Sequence, residues 1–305
     1  MQIVEQEASS IIVPSRLPDT DYVINPYTGC SFACSYCYAS FMGRFVGKSR
    51  DDWGNYVYVK TNAVELFRKE IAHSRFSTGP TLFLSSVTDA WQGPEGKYEL
   101  ARGILGELVR RSYPGRVSIL TKSPLLLRDA ELLSALPHAE VGVTVTTDDD
   151  AIGRIYEARA PRNSARLDLL RELSQRGVPT YAFLGPLMTH YVDAPDAMDA
   201  LIGRVAQTGV RFVYAELLNV ARPLMLRLQS VMSVDQTEAA RFVVAHADPA
   251  RRQRLSELVV RLLDKHGLEL RLGRVIDHAD PSTLRKSGSP APLAPLKPPQ
   301  QGDAR

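Results

Sequence analysis

Cysteine is scarce in this chain: three residues among 305, at positions 30, 34 and 37. Three thiols cannot pair into a disulfide framework, so a reducing, cytoplasmic setting is expected. No run of about 18 uncharged apolar residues occurs, which excludes a membrane-spanning helix and gives no reason to expect a membrane partner. The N-terminal stretch from Met1 to Ala8 is acidic and lacks the apolar segment of a signal peptide. Neither sign of charge dominates. The 37 basic residues less the 34 acidic ones leave +3, too little by itself to argue for a nucleic-acid surface. Hydrophobic residues at 44% and charged residues at 23% mark a globular chain. At about 100–200 residues per domain, its length allows one large domain or two ordinary ones.

What is present is concentrated. Cys30, Cys34 and Cys37 form Cys-x3-Cys-x2-Cys within Asn25-Pro-Tyr-Thr-Gly-Cys-Ser-Phe-Ala-Cys-Ser-Tyr-Cys-Tyr-Ala-Ser40. Three thiolates on one short loop can wrap a single metal centre. A closed zinc site needs four ligands, yet no fourth cysteine exists and the next histidine, His73, lies 36 residues beyond Cys37. A [4Fe-4S] cluster on three cysteines instead leaves one iron open to a small ligand, an arrangement suited to catalysis.

The middle of the chain alternates short apolar or β-branched runs with amphipathic stretches. Strands are expected at Tyr22–Asn25, Thr81–Ser85, Val117–Lys122, Val141–Thr147, Thr180–Gly185 and Phe212–Leu217. Helices are expected at Ala63–Ser74, Lys97–Arg111, Leu125–Leu136, Ala165–Arg176 and Ala194–Gln207. Alternating βα units predict a parallel sheet in an α/β fold, and six units are too few to close an eight-stranded barrel. After residue 220 the pattern turns helical at Leu226–Val234, Gln236–Ala245 and Arg251–His266, with a short strand at Leu268–Arg271. From Lys286 onward, proline and glycine deny both helix and ladder, which predicts a disordered tail. The expected division is an extension at 1–20, a barrel domain at 21–220, a mostly helical cap at 221–285 and the Pro-rich tail at 286–305.

Cys-x3-Cys-x-Tyr-Cys resembles the signature of radical S-adenosylmethionine (SAM) enzymes, with an aromatic residue before the third cysteine. Asn25-Pro26-Tyr27-Thr28-Gly29-Cys30, Tyr36-Cys37-Tyr38-Ala39 and Trp53-Gly54…Val57…Val59-Lys60-Thr61-Asn62 resemble its spore photoproduct lyase-like branch, also called DNA repair photolyase. The likeness runs from about residue 20 to about 220. It implies an open (β/α)6 partial TIM barrel, with residues 221–285 closing it as a cap. It also implies a [4Fe-4S] cluster on Cys30, Cys34 and Cys37. The open iron would hold SAM, and reductive cleavage would give a 5′-deoxyadenosyl radical that abstracts hydrogen from a substrate.

The resemblance assigns roles at the strand ends. Thr88 and Asp89 would take the methionine ammonium, although such residues equally cap a helix. Lys122, with Ser118 and Leu120 on its face of the strand, would take the SAM carboxylate, although a long stem can also carry its charge out to the rim. Thr144 and Thr146 would meet the ribose; as β-branched residues they also simply suit a strand. Arg166, in Glu157-Ala-Arg159-Ala-Pro161-Arg-Asn-Ser-Ala-Arg166, would assist the carboxylate, whereas an arginine on a helix commonly faces solvent. Gly185-Pro186 would let the backbone approach adenine or form a plain turn. Tyr36 would present its backbone to adenine. Tyr38 is the candidate catalytic residue, because tyrosines flanking the third cysteine are thought to relay hydrogen in spore photoproduct lyase with a cysteine after the second strand. Here that position reads Ser86, whose O–H bond is too strong to replace a thiol as hydrogen donor.

Three functions follow. The first is a radical SAM enzyme acting on a small molecule, peptide or nucleotide, supplied with electrons by a flavodoxin- or ferredoxin-type donor. The second is DNA lesion repair, for which Arg251, Arg252, Arg254, Arg261, Lys265, Arg271 and Arg274 offer a basic helix interspersed with Glu257, Asp264 and Glu269. The third is a non-catalytic iron–sulfur protein, against which the polar strand ends at Thr88, Asp89, Lys122 and Thr146 stand.

Overall fold

The fold was analysed in a computed structural model, which describes residues 1–278 apart from 18, 220, 233, 234, 247 and 249. The tail expected at 286–305 and the C-terminal end of the helix expected at Leu226–Val234 lie outside those residues. Among the described residues eleven strands run in chain order: β1 (Gln2–Gln6), β2 (Ile12–Pro14), β3 (Tyr22–Ile24), β4 (Tyr27–Thr28), β5 (Tyr56–Lys60), β6 (Leu82–Leu84), β7 (Val117–Thr121), β8 (Ala139–Val145), β9 (Thr180–Leu187), β10 (Phe212–Leu217) and β11 (Glu269–Leu270). Ten α-helices accompany them: α1 (Ala63–Glu70), α2 (Glu95–Tyr98), α3 (Leu100–Arg110), α4 (Ala130–Ser134), α5 (Asp150–Tyr156), α6 (Asn163–Gln175), α7 (Pro195–Ala206), α8 (Arg222–Met232), α9 (Gln236–His246) and α10 (Ala250–Lys265).

The main sheet has the order β11-β10-β9-β8-β7-β6-β3-β2 and is parallel throughout except where β2 pairs antiparallel to β3. A smaller sheet, β1-β5-β4, stands beside it. The first twenty residues therefore pair into both sheets: β1 lies parallel to β5, and β2 lines the edge of β3. Both strands are short and partly exposed, so neither carries a strong period of its own.

Register decides which side chains share one face of the main sheet. Ser118 and Leu120 of β7 pair with Glu140 and Gly142 of β8. Gly142 and Thr144 then pair with Tyr181 and Phe183 of β9, and these with Phe212 and Tyr214 of β10. Lys122, Thr146, Gly185 and Glu216 continue the same face toward the C-terminal ends. The opposite face is apolar, with Val141, Val143 and Val145 fully buried. At the N-terminal end the interior is plugged. Glu140 there holds Arg116, Arg271 at 2.8 Å and the Ser118 hydroxyl at 3.0 Å, under the packed rings of Tyr181 and Tyr214. Chemistry is thereby left to the C-terminal mouth.

Two expected helices are interrupted, each by a buried carboxylate. The stretch expected as Lys97–Arg111 breaks at Glu99, which adopts φ 50°. Buried Glu95 causes the break by accepting from the amides of Leu100 and Arg102, both at 3.0 Å, and so capping α3. The stretch expected as Leu125–Leu136 becomes a 3-10 helix, Pro124–Asp129, followed by α4. Asp129, fully buried, receives the Trp91 indole at 2.8 Å and Arg102 at 2.5 Å.

Candidate active site

The cysteine loop leaves β3 at the mouth and is clamped from three sides. Gly29 turns it at φ +93°, and a Cβ there would meet the Tyr56 carbonyl oxygen at 2.5 Å, so only glycine fits against β5. From the loop after β6, Thr88 Oγ1 donates to the Gly29 carbonyl at 2.6 Å, and Gln92 Nε2 donates to the same oxygen at 3.2 Å. Gln92 Oε1 accepts the Ser31 amide at 2.7 Å, completing the grip on both sides of Cys30. From the segment after α5, the Tyr156 carbonyl accepts the Ser35 amide at 2.8 Å and hydroxyl at 3.0 Å, while Cys34 pairs as an isolated bridge with Glu157.

Cys30 and Cys34 are buried and Cys37 is half-buried. Burial pushes the Cys30 thiol well up, and Asp89 and Cys34 push it further. Burial raises the Cys34 thiol to about 12, opposed by Lys122. Cys37 is raised by burial too, opposed by Lys122, the Ala39 amide and Arg227. Three crowded thiols of this kind ionise together only against a multiply charged cation, which is the condition an iron–sulfur cluster meets. Among the described residues no three His, Cys, Asp or Glu side chains could hold one metal ion. Three cysteines without a fourth ligand fall short of a closed zinc site, and as a donor set they suit a [4Fe-4S] cluster.

Glu157 is the hub. It is 2% exposed and accepts from Arg166 Nη2 at 2.6 Å, Arg166 Nη1 at 3.1 Å, Thr146 Oγ1 at 3.3 Å and the Tyr36 hydroxyl. Burial pushes its carboxyl up, but the charges of Arg166 and Lys122 and these donors outweigh that and hold it below the usual glutamate range. Arg166, expected either at the SAM carboxylate or in solvent, is 1% exposed. It gives its remaining donors to the Pro161 and Thr144 carbonyls and to Asn163 Oδ1.

Lys122 faces the interior with its ammonium 3.9 Å from Glu157 Oε1, beyond hydrogen-bond range, and 5.7 Å from the Tyr36 ring centroid. Burial draws its pKa down, but Cys34 and Glu157 reverse this and hold it above the ordinary lysine value. Asp89 is 7% exposed; it accepts Thr121 Oγ1 and the Lys122 amide, both at 2.8 Å, and the Trp91 amide at 2.9 Å. It caps no helix: it ties the loop after β6 to the end of β7. Tyr38 stands apart, 47% exposed, donating its hydroxyl to the Ser86 carbonyl. Ser86 Oγ in turn accepts Asn25 Nδ2 at 2.9 Å. Cys34, Tyr36, Lys122, Thr146 and Arg166 thus converge on one carboxylate, Thr88 and Asp89 brace the loop beside it, and Thr144 contributes its carbonyl to Arg166.

Two residues escaped the sequence reading. Gln92 carried no motif signal. Glu216 shares the inward face of β10 with Phe212 and Tyr214, and this in-phase carboxylate near the end of a parallel strand is a readable sign. It meets His278 Nε2 at 2.5 Å. Five of the seven basic residues near the C-terminus are paired with carboxylates. Arg251, Arg252, Arg254, Lys265 and Arg271 pair with Asp193, Asp277, Asp248, Asp199 and Glu140.

Comparison with known proteins agrees with this geometry. An uncharacterized protein of Methanocaldococcus jannaschii is 33% identical over 220 residues, which cover 72% of this chain and 79% of that one. An uncharacterized protein of Mycobacterium tuberculosis is 32% identical over 192 residues, covering 62% of this chain and 56% of its own length. Among solved structures, spore photoproduct lyase complexed with dinucleoside spore photoproduct superposes with a TM-score of 0.66 at 13% identity, over 88% of this chain and 81% of that one. A variant of that lyase with bound AdoMet gives a TM-score of 0.64. At such identity the likeness is one of fold: α/β, with a largely parallel sheet. The family model of the radical SAM superfamily matches residues 24–201, more than half of the chain. On that match the chain belongs to the radical SAM superfamily, enzymes that use a [4Fe-4S] cluster and S-adenosylmethionine.

Proposed function

We propose that Cys30, Cys34 and Cys37 hold the [4Fe-4S] cluster and that the polar strand ends around Glu157 hold S-adenosylmethionine for reductive cleavage. When bound, the pair supplies one-electron scission of the sulfonium and hydrogen abstraction from a substrate C–H bond. The observation that carries this reading is the convergence of the cysteine loop and the strand-end set on Glu157, because a bare cluster would need no such set. Lys122, an interior ammonium with no acceptor in bonding range, suits the carboxylate of SAM. Asp89 has three donors on a group with about four acceptor positions, which leaves one for an ammonium. Thr144 and Thr146 suit the ribose, and the Tyr36 backbone suits adenine. Arg166 acts as a positioning residue: it fixes Glu157, which orients Tyr36 and balances Lys122. The parallel strands are read as an open (β/α)6 partial barrel, with α8 to α10 as the cap of its open side.

Tyr38, exposed and bonded to the Ser86 carbonyl, is read as the residue that passes a hydrogen, but its neighbour Ser86 offers no thiol. The substrate is therefore read as a small molecule, peptide or nucleotide other than spore photoproduct. Repair of DNA loses most of its support from the C-terminal basic residues, since Arg251, Arg252, Arg254, Lys265 and Arg271 are paired with carboxylates. No helix among the described residues is long and apolar enough to cross a membrane, and the free thiols suit the cytoplasm. The test is anaerobic reconstitution with iron and sulfide, then SAM and dithionite. 5′-Deoxyadenosine above a cluster-free control is expected, and its absence would sink the proposal. Titration of SAM into the reduced protein should alter the cluster's electron paramagnetic resonance spectrum; an unchanged spectrum would favour a non-catalytic iron–sulfur protein.

A further inference from the structure

The surface beside the cysteine loop gathers cations around an exposed aromatic residue. A 3-10 helix, Tyr38–Val46, follows Cys37 directly and presents Phe45, 63% exposed, with Phe41 beside it. The Arg44 guanidinium lies over both rings, 5.3 Å from the Phe41 centroid and 4.6 Å from that of Phe45. The next loop carries Lys48 and Arg50. From α8, Arg227 donates to the Arg50 carbonyl at 3.2 Å and the Trp53 carbonyl at 2.9 Å. From the other side Arg159 donates to the Gly54 carbonyl at 2.5 Å and to Asn55 Oδ1 at 3.1 Å.

Among the described residues none of Arg44, Lys48, Arg50, Arg159 and Arg227 forms a salt bridge. The carboxylates near it include Asp51, Asp52 and, at the start of the 3-10 helix, Glu216; Asp52 is occupied by the Ser49 amide and hydroxyl, both at 2.8 Å, and Glu216 by His278. Five cations less these three anions leave +2 on this one face. Three of the four arginines of α10, Arg251, Arg252 and Arg254, are by contrast matched to carboxylates. Unmatched charge around an exposed apolar centre is the anatomy of a protein interface with a complementary rim.

We propose that this face docks a small acidic protein carrying one electron at low potential, of the flavodoxin or ferredoxin kind, which reduces the cluster. The inference rests on the function proposed above. One electron leaves the reduced carrier and enters the cluster; the carrier is oxidised by one equivalent, the cluster is reduced by one, and no bond forms or breaks in the transfer. The position supports the transfer. The 3-10 helix starts at the residue after Cys37, and Arg227 bridges the outer loop while acting electrostatically on Cys37 and Cys34. Arg44 already covers a face of both phenyl rings where a nucleobase would stack, which favours a protein partner over a single-stranded nucleic acid.

The test uses the full reconstituted chain, its double variant Lys48→Glu/Arg50→Glu, and Phe45→Ala. Calorimetry with oxidised flavodoxin at low salt should show binding weakened about tenfold or more in the double variant, and added salt should weaken the parent likewise. Phe45→Ala should weaken binding without changing its salt dependence. Flavodoxin-driven 5′-deoxyadenosine formation should fall in step, while the dithionite-driven reaction stays within about twofold of the parent. Equal use of flavodoxin by parent and double variant overturns the proposal. So does an equal loss with both reductants, which would make the patch a support of the loop. Loss of oligonucleotide binding with flavodoxin use intact would assign the face to nucleic acid instead. A parent silent even with dithionite would overturn the proposed function itself and is thereby distinguished from a failure of docking.

Discussion

Two carboxylates face the mouth of the sheet, and they are held in opposite ways. Glu157 is sealed at 2% exposure under an arginine, a threonine and a tyrosine, with a lysine ammonium nearby. Glu216, across the mouth on β10, keeps 23% of its side chain exposed and has His278 as its hydrogen-bond partner. The first has no room for a ligand and serves to fix the residues around it. The second keeps acceptor capacity and solvent access near Tyr38 and Cys37. One side of the mouth is a frame and the other is an opening.

The comparison breaks most visibly at the frame. Arg166→Met leaves a buried carboxylate without its bidentate partner and should cost about 3–5 kcal/mol in urea unfolding. A loss below about 1 kcal/mol would show that Glu157 is not the hub. Gln92→Ala removes the grip on Gly29 and Ser31 and should cost about 1–3 kcal/mol, together with poorer iron retention on reconstitution. Unaltered iron content would put the hold on the loop elsewhere. Glu216→Gln should leave stability within about 0.5 kcal/mol, as for a residue outside the frame. A cost like that of Arg166→Met would erase the distinction.

The same contrast predicts two pH arms of opposite sign. Glu157 is held below its ordinary value, so its stabilisation is present above the unfolded carboxylate pKa and is lost as pH falls through the folded one. His278 is held above 6.5 by the hydrogen bond to Glu216, although burial opposes this. Its contribution is complete below that ordinary value and is lost as pH rises through the raised one. Thermal midpoints against pH should lose the acid arm in Arg166→Met and the smaller alkaline arm in Glu216→Gln. Nuclear magnetic resonance titration should find His278 back near its ordinary value in Glu216→Gln; no change would separate the two residues.

Local sequence carried much of this. The cysteine spacing marked the loop, and alternation marked β3 and β6 to β10 within a residue or two at most ends. Lys122 was readable as inward because a charge ends a period-two run. What sequence hid was pairing at a distance. Helical pattern makes Arg166 a surface residue, and only Glu157, nine positions upstream and beyond a turn, buries it. Nothing local marks Glu95 as the cap that splits α2 from α3, and the grip of Gln92 on a loop some 60 residues away has no periodic signal. Short edge strands such as β1 depend on a partner strand more than on their own residues.

The central claim is that the three cysteines hold a cluster that cleaves SAM. Its most direct test is mass-spectrometric detection of 5′-deoxyadenosine after anaerobic reconstitution of the parent and of Cys30→Ala, Cys34→Ala and Cys37→Ala, each given SAM and dithionite. The account predicts product from the parent and none above the cluster-free control from any variant. Product retained by one of the three, or absent from a parent that has taken up its iron, would contradict it.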